Sequence, residues 1–506
     1  MNKTIKVLDL ILYVVLCVQI IAFPSLENFY ALLISLLGWK TIVYFCGNRL
    51  VFKLYPLVSI TIVSFALFYC YFPPIATLFE LKPVIYNLEK PLLTYTLHYV
   101  FAISLVGAFS LFRNLNKTIL PRYLSSLNFY YVPSPNGIWI MGAIGLAALM
   151  FSNSHSDVLA EDRSAIDRAL EGFSFFACVP LIFFSVPKQW KNKIVCKNKV
   201  FLYLYMAALL LGAVLTNRRH YIFMYILTPF LIYIINTIVN KSQDTYLIKP
   251  KNLIFLGIVS IFLSGPFADF ALAMSIQRAN VYEIKGEQLL KETWKSFLDK
   301  DALRKQKDFF LADQIYYSSF GYTEYYVDNI FLNRFCNMKP IDNSIKYASK
   351  IDCTFGNDYM QRKMVEKIEY LLPNPIIKAI DPNFNKFKES SYGFHDYLIG
   401  IANNTRGGGY RVGGDMGIGI ATFGVFFPFF VILFYSLMFL IINSFSFWNR
   451  NHLAISVFAV CKIFTCFYIF QSNHGFMDDI SMVLRLLPQQ VLLFIIVINV
   501  IKKAGF

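Results

Sequence analysis

Arginine residues recur where apolar stretches of this chain meet polar ones, and their side chains are suited to bind anions. Arg218 and Arg219 are adjacent in the segment TNRRH, and Arg334 stands among apolar residues in IFLNRFCN. Arg406 and Arg411 flank the glycines of TRGGGYRVGGD. A guanidinium in such a place either extends from an apolar helix to polar surroundings or holds a carboxylate or phosphate in a two-point contact. We interpret these five arginines as candidate anion ligands, with Arg406 and Arg411 facing a diphosphate.

One histidine and two carboxylates offer a general base for such a site. His395, in SSYGFHDYLIG, is the single histidine of the polar segment 275–415, and histidine is suited to accept a hydroxyl proton near neutral pH. Asp396 beside it and Asp415 at the end of the glycine run are the alternatives. Arg485 lies inside an apolar run, where a charge indicates either a functional site or an ion pair with one of the two aspartates before it.

The elements that must position these residues are apolar helices. Of the 506 residues, 57% are hydrophobic and only 15% are charged, and the mean hydropathy is +0.51. Stretches near 20 apolar residues recur, which is the length that crosses the hydrocarbon core of a bilayer. We therefore predict an all-α polytopic membrane protein with about 12 transmembrane helices. The predicted spans are 5–23, 28–46, 54–73, 94–112, 137–151, 172–187, 200–216, 220–239, 252–274, 416–442, 453–471 and 480–500.

The distribution of charge predicts the orientation of these spans. The net charge is +16, but segment 275–415 is nearly balanced, with 20 basic and 18 acidic residues. If the amino terminus lies inside, the inner segments hold 18 Lys and Arg and the short outer loops hold 6, in agreement with the positive-inside rule. This assignment places both termini in the cytoplasm and segment 275–415 outside, in the periplasm of a cell with two membranes. Because the positive excess lies beside the membrane, nucleic acid is not expected as a partner.

The order of the predicted spans divides the chain into three parts. Residues 1–274 form a membrane domain with helices 1–9, and residues 416–506 form a second with helices 10–12. Between them, residues 275–415 make one large outer loop. Within this loop, the spacing of apolar residues predicts an amphipathic helix on the membrane surface over 284–308 and a second helix over 358–372.

The sequence offers no signature for a bound cofactor or metal. It has no P-loop, no dinucleotide-binding glycine motif and no H-E-x-x-H. Its nine cysteines show no metal-binding spacing. Cys336 and Cys353 both lie in the outer loop, where they either pair in a disulfide or remain free thiols. We expect chemistry on a lipid-linked or exported substrate, without a cofactor.

Four motifs, together with the layout of spans, resemble the Wzy-type O-antigen polymerases, which join oligosaccharide repeat units. These motifs are TNRRHY, NRFCN, LLPNPI and GGDMGIGIATFG, and the resemblance covers roughly residues 200–445. The O-antigen ligases share this layout. The resemblance implies a GT-C-like membrane fold, an undecaprenyl-diphosphate-linked substrate and catalysis without a metal.

The resemblance also suggests roles for individual residues. The family's arginine after a helix matches Arg218 or Arg219, and its early-loop arginine matches Arg334. The spacing of an arginine and a glycine eleven positions later is met by Arg406 and Gly417. A loop histidine before the returning helix, as in the ligases, matches His395. The predicted catalytic residues are therefore His395, Arg219 and Arg334, and the predicted diphosphate or glycan ligands are Arg218, Arg406, Arg411, Asp415 and Arg485.

The function implied is polymerisation of lipid-linked repeat units into O-antigen or capsular polysaccharide at the periplasmic face of the bacterial inner membrane. The expected partners are the lipid-linked glycan, membrane lipids and a chain-length regulator. An O-antigen ligase is the first alternative, since it uses the same donor. A flippase or other transporter of lipid-linked oligosaccharides is the second, although transporters often show related halves, and this sequence shows no repeat.

Overall fold

The computed structural model describes most of the chain, and its regular structure is almost entirely helical. The described residues are 2–154, 170–187, 190, 194, 198–215, 219–240, 265–277, 286–319, 322–336, 338–372, 377–379, 382, 392–405, 411–449, 452–471 and 475–506. The α-helices are α1 Asn2–Ala22, α2 Leu26–Cys46, α3 Arg49–Leu54, α4 Pro56–Ala66, α5 Phe72–Phe79, α6 Pro91–Asn114, α7 Ile119–Ser126, α8 Pro135–Ser154, α9 Lys199–Leu215, α10 Arg219–Asn240, α11 Pro266–Ile276, α12 Gly286–Leu298, α13 Lys300–Ser319, α14 Ile330–Asn333, α15 Lys339–Ala348, α16 Asp358–Leu371, α17 Phe394–Asn403, α18 Asp415–Phe423, α19 Phe427–Asn443, α20 Val457–Tyr468, α21 Phe476–Ser481 and α22 Leu487–Lys503.

Apolar helices long enough to cross a membrane make up much of this structure. Seven of them occur in the described part of the chain, at Lys3–Ala22, Leu26–Cys46, Pro56–Phe79, Pro91–Asn114, His220–Val239, Asp415–Asn443 and Phe476–Lys503. Shorter apolar helices lie at Pro135–Phe151, Ser174–Phe184, Lys199–Leu215, Pro266–Ile276 and Val457–Gln471. The prediction of a helical membrane protein is thus confirmed. The count of twelve spans and the GT-C-like arrangement stay predictions.

Small residues allow the apolar helices to approach one another closely. A Cβ atom added at Gly145 of α8 would lie 2.0 Å from the backbone nitrogen of Ala177, so α8 contacts the 3₁₀ helix Ser174–Phe184 through bare backbone. Between α6 and α19, the Ser436 hydroxyl donates a hydrogen bond of 2.9 Å to the Ala108 carbonyl. Such contacts are the usual way in which helices associate in lipid, where the hydrophobic effect does not drive them together.

A π-helical turn, Leu67–Tyr71, joins α4 to α5 within one apolar helix. Two consecutive side chains of this turn contact different parts of the molecule. The Phe68 ring lies 6.2 Å from Phe335 of the large loop, whereas the Tyr69 hydroxyl donates to the Phe470 carbonyl. Single π turns of this kind are frequent at functional sites.

A short antiparallel hairpin connects α19 to α20. Its strands are β1 Ser446–Asn449 and β2 His452–Ile455, with Ser446 opposite Ile455 and Asn449 opposite His452. It is the only sheet in the described part of the chain, so the class remains all-α with this small addition.

The large loop contains the helices that its sequence predicts. The helix expected at 284–308 is present as α12 and the first part of α13, and the helix expected at 358–372 is present as α16. The Phe297 ring of α12 packs 5.6 Å from Phe270 of α11. The position of α12 on a membrane surface and the division into three domains stay predictions.

Candidate functional site

A carboxylate at the end of α5 fixes the loop segment that carries Arg334. Glu80 accepts hydrogen bonds from the backbone N–H groups of Asp328, at 3.0 Å, and Asn329, at 2.7 Å. The Lys82 ammonium lies between Glu80, at 3.0 Å, and Asp328, at 2.7 Å. The Asn329 side chain caps α14 by accepting from its first N–H groups. The four-residue helix α14 is therefore held against α5, and Arg334 follows it directly.

Arg334 lies at the C-terminal end of α20, beside the start of α10. Its side chain is exposed, and it interacts electrostatically with Tyr468. The His220 ring lies 5.2 Å from the same Tyr468 ring and 5.2 Å from Phe464. Helix α10 begins one residue earlier, at Arg219. We call Arg334, His220, Tyr468 and the first residue of α10 the arginine face.

The arginine face brings together two segments that the sequence marked as candidates. Arg334 and the TNRRHY segment are more than a hundred residues apart, yet His220 and Arg334 share Tyr468. Arg218 and the side chain of Arg219 lie outside the described residues. Within the described part of the chain, Arg334 has no carboxylate partner, so its guanidinium is available to an anion.

A second carboxylate, Asp342, holds α15 against the start of α6. It is 0% exposed and accepts from the N–H groups of Glu89 and Lys90, both at 2.8 Å. The Thr94 hydroxyl and the Lys339 ammonium donate to it as well, each at 3.2 Å. These N–H groups belong to the two residues just before α6, so Asp342 of the distant loop binds the segment that leads into this helix. This contact positions α15, which carries Ser344.

The Ser344 hydroxyl determines the orientation of His395. It donates to the Pro340 carbonyl at 2.8 Å and accepts from the Gly414 N–H at 2.7 Å. The Nδ1 atom of His395 lies 3.4 Å from the same oxygen. Since the only hydroxyl proton goes to Pro340, this contact requires a proton on Nδ1, which leaves the Nε2 lone pair free. Nε2 is buried and has no hydrogen-bond partner in the described part of the chain.

His395 is enclosed by aromatic rings and glycine backbone. It is 1% exposed, and its ring lies 6.2 Å from Tyr322 and 6.0 Å from Tyr347. A Cβ atom added at Gly413 would lie 2.4 Å from the imidazole, so the glycine segment rests directly on the ring. The sequence predicts turns at these glycines. The structure shows a further reason for a glycine at position 413, because the backbone there approaches the His395 ring too closely for a side chain.

The neighbours of His395 include Arg411 and Asp396. The Arg411 guanidinium lies over the Tyr322 ring, 5.7 Å from its centroid. Asp396 is 0% exposed and accepts from the Gly393 N–H at 2.8 Å and the Arg411 N–H at 3.4 Å. It therefore caps α17 rather than standing free as an alternative base. Arg411 is brought to His395 as expected, whereas Arg406 lies outside the described residues.

Burial, together with a smaller effect of the nearby Arg411 guanidinium, lowers the pKa of His395 to about 3. Below the ordinary value of 6.5 the unfolded chain binds a proton that the folded chain does not, so stability should fall on acidification by about 1.4 kcal/mol per pH unit. We expect the melting temperature of the wild type to drop more between about pH 7 and about pH 5 than that of His395→Asn. Equal drops for the two proteins would contradict this linkage.

Helix α18 crosses α15 with almost no space between them. A Cβ atom added at Gly417 would lie 2.1 Å from the backbone carbonyl carbon of Ser344. Gly417→Ala should therefore destabilise the protein by about 1–3 kcal/mol, measured as a lower melting temperature. Gly212→Ala in α9 is the matched control, because an added methyl group there meets nothing within 4 Å. A Gly417→Ala protein that melts like the control would contradict the close packing.

Asp415, the first residue of α18, lies in an acidic rather than a basic environment. Its carboxyl group interacts electrostatically with Asp478 and Asp479 of α21. The Tyr435 hydroxyl donates to Asp479 at 2.6 Å. Three carboxyl groups repel a diphosphate, so the role of Asp415 as a diphosphate ligand is not supported, whereas a role in binding a neutral glycan remains open. In the described part of the chain, no group of three His, Cys, Asp or Glu residues is arranged to hold a metal ion.

Arg485 lies apart from both groups of residues. It is exposed in the π turn Met482–Leu486 and has no contact with the arginine face or with His395 among the described residues. It also makes no ion pair with Asp478 or Asp479, so the ion-pair alternative is wrong. At 1.5 Å per residue it lies about 26 Å along the helix from Lys502, close to the thickness of a hydrocarbon core. This spacing is typical of a residue at a membrane interface.

Cys336 and Cys353 are both free cysteines, so the disulfide alternative is wrong. The Cys336 thiol is buried and donates to the Leu332 carbonyl at 3.0 Å. Cys353 is half-buried near the N-terminal parts of α6 and α19.

Comparisons with protein-family models, curated proteins and solved structures found no match. The functional argument therefore depends on the geometry and on the sequence motifs. Sequence reasoning missed Glu80, Asp342 and Ser344, whose partners lie tens to hundreds of residues away. The only sequence signal for Asp342 is an acidic residue two positions after Pro340, which has many ordinary explanations.

Proposed function

We propose that this protein is a glycosyltransferase that polymerises undecaprenyl-diphosphate-linked oligosaccharide repeat units at the periplasmic face of the bacterial inner membrane. The observation that supports this best is the arginine face. An exposed guanidinium without a carboxylate partner in the described residues lies at the ends of apolar helices, beside a segment with two further arginines. A lipid diphosphate carries its charge at the surface of a membrane, where the ends of apolar helices lie.

The proposed reaction transfers a growing glycan from one lipid carrier to the next repeat unit. The bond between the sugar C1 atom and the diphosphate oxygen breaks, and the electron pair leaves with the diphosphate. A hydroxyl of the incoming repeat unit forms the new bond to C1, and its proton goes to a base. Arg334, with Arg218 and Arg219, would stabilise the charge that develops on the leaving diphosphate. His395 and Asp415 are the two candidates for the base.

An O-antigen ligase is the second candidate, and the location of His395 favours it. In the ligase-like arrangement a loop histidine precedes the returning helix, and here Gly413, just before α18, rests on the His395 ring. The ligase uses the same donor and the same leaving group. The two functions differ in the acceptor, which would be a lipid-linked repeat unit for the polymerase and lipid A core for the ligase.

The test is the surface-glycan profile of a deletion strain, with the wild-type protein restored from a plasmid as the control. A ladder that collapses to core bearing one repeat, and returns with the plasmid, supports the polymerase. Loss of every repeat from the core, with long lipid-linked chains accumulating, supports the ligase. An unchanged ladder would overturn both and favour transport.

A further inference from the structure

A small pocket lies between the glycine segment and the aromatic residues of the membrane helices. It is lined by Gly413, Gly414 and Asp415 of the glycine segment and by the aromatic residues Phe65, Tyr69 and Phe470. The pocket has room for about one water-sized group. Its polar lining consists of a carboxylate, a phenol and peptide groups, so it suits a hydroxyl group better than an apolar one.

The Asp415 carboxylate has unused capacity for a hydrogen bond. It accepts none from the described residues, although it is the only carboxylate that lines the pocket. Its neighbour Asp479 is occupied by the Tyr435 hydroxyl at 2.6 Å. The neighbouring Asp478 and Asp479 carboxyl groups disfavour an anion in this place and favour a group that can donate a hydrogen bond.

A second buried group beside the pocket also has an unmet hydrogen bond. His98 is 3% exposed, and its ring lies 5.2 Å from Tyr69 and 6.3 Å from Phe65, both of which line the pocket. Its Nδ1 atom is 2.9 Å from the Thr94 carbonyl and so carries the proton. The Nε2 atom is then an acceptor without a partner in the described part of the chain. Orphaned acceptors of this kind indicate that a polar group is to be bound nearby.

We propose that this pocket holds the acceptor hydroxyl and that Asp415 is the general base of the transfer. The inference rests on the proposed function and divides the site into two parts. The diphosphate leaves at the arginine face, and the acceptor hydroxyl gives its proton to the Asp415 carboxylate as its oxygen forms the new bond to C1. Tyr69 lies near both parts, because it interacts electrostatically with Asp415 and with Tyr468.

His395 fits the role of base less well. Its free Nε2 atom is fully buried, and the Gly413 backbone covers the ring. An acceptor hydroxyl could reach it only if the glycine segment moved away. Its fixed hydrogen bond to Ser344 and its packing against Gly413 instead make it a positioning residue for the segment that leads to Asp415.

The experiment measures chain growth by purified protein on the lipid-linked repeat units that accumulate in membranes of the deletion strain. We expect Asp415→Asn to reduce the rate of chain growth at least about 100-fold, the typical loss when a general base is removed. Abundance and melting temperature should stay close to those of the wild type. Asp301→Asn, the same chemical change at an exposed position of α13, is the matched control.

The outcomes separate this inference from the proposed function. Chain growth by Asp415→Asn within tenfold of the wild type would overturn the assignment of the base, as would a 100-fold loss confined to His395→Asn. If the wild-type protein elongates nothing, the proposed function itself fails. Should Asp415→Asn not accumulate, Asp415→Ser removes the same base in less space, and the same 100-fold criterion applies.

Discussion

Asp342→Ala should remove most of the folded protein, with a loss of about 3–5 kcal/mol in the free energy of unfolding. The carboxylate is completely buried and accepts four hydrogen bonds, two of them from the N–H groups of Glu89 and Lys90, just before α6. Without it, the Lys339 ammonium, only 2% exposed, loses its closest counterion, leaving Glu89 at 3.7 Å. A buried charge without its partner is among the most destabilising of single changes.

The measurement is the amount of monodisperse protein extracted from membranes, followed by a thermal melt of what is obtained. Asp301→Ala is the control, because Asp301 is an exposed residue in the first turn of α13. An Asp342→Ala protein with the abundance and melting temperature of that control would show that the Asp342 carboxylate contributes little to stability.

Arg334→Lys should abolish most of the chain growth while leaving the amount of protein unchanged. Lysine keeps the positive charge but loses the planar two-point contact with a phosphate, and removal of one such group from a site of developing charge typically costs about 100-fold in rate. Stability should not change, because the Arg334 side chain is exposed and has no ion pair among the described residues. We expect the same of Arg219→Lys.

These rates are measured in the chain-growth assay described above, with Arg304→Lys as the control. Arg304 is an exposed residue of α13, so the conservative exchange there should have no effect. Wild-type rates for both Arg334→Lys and Arg219→Lys would contradict the proposal that the arginine face binds the diphosphate.

The helices of this protein could be predicted from the sequence, because a span or an amphipathic helix is encoded by neighbouring residues. The apolar helix Pro91–Asn114 and the loop helix α16 were both expected from local patterns. The approach of Arg334 to the TNRRHY segment followed from a topology argument, which requires only that both lie on one face of the membrane.

The long-range contacts that hold the candidate site together could not be predicted from local patterns. Asp342 contacts a backbone N–H 253 residues away, and Glu80 contacts one 249 residues away. No local pattern distinguishes a carboxylate that binds the backbone N–H groups of a distant segment from one that is merely solvated. The separation of Arg485 from the other candidates is a similar case, because a charge inside an apolar run does not reveal which side of its helix faces the protein.

The carboxylate contacts of Glu80 and Asp342 have a consequence for engineering. Both contacts join the large loop to a short stretch, residues 80–94, that lies about 250 residues before its partners in the chain. The loop therefore cannot be exchanged as an independent unit. A chimaera that exchanges only residues 275–415 would separate the Glu80 and Asp342 carboxylates from the backbone N–H groups that they bind. One that also carries residues 80–94 keeps each carboxylate with its partners. Attempts to exchange the large loop should therefore move these two segments as one unit.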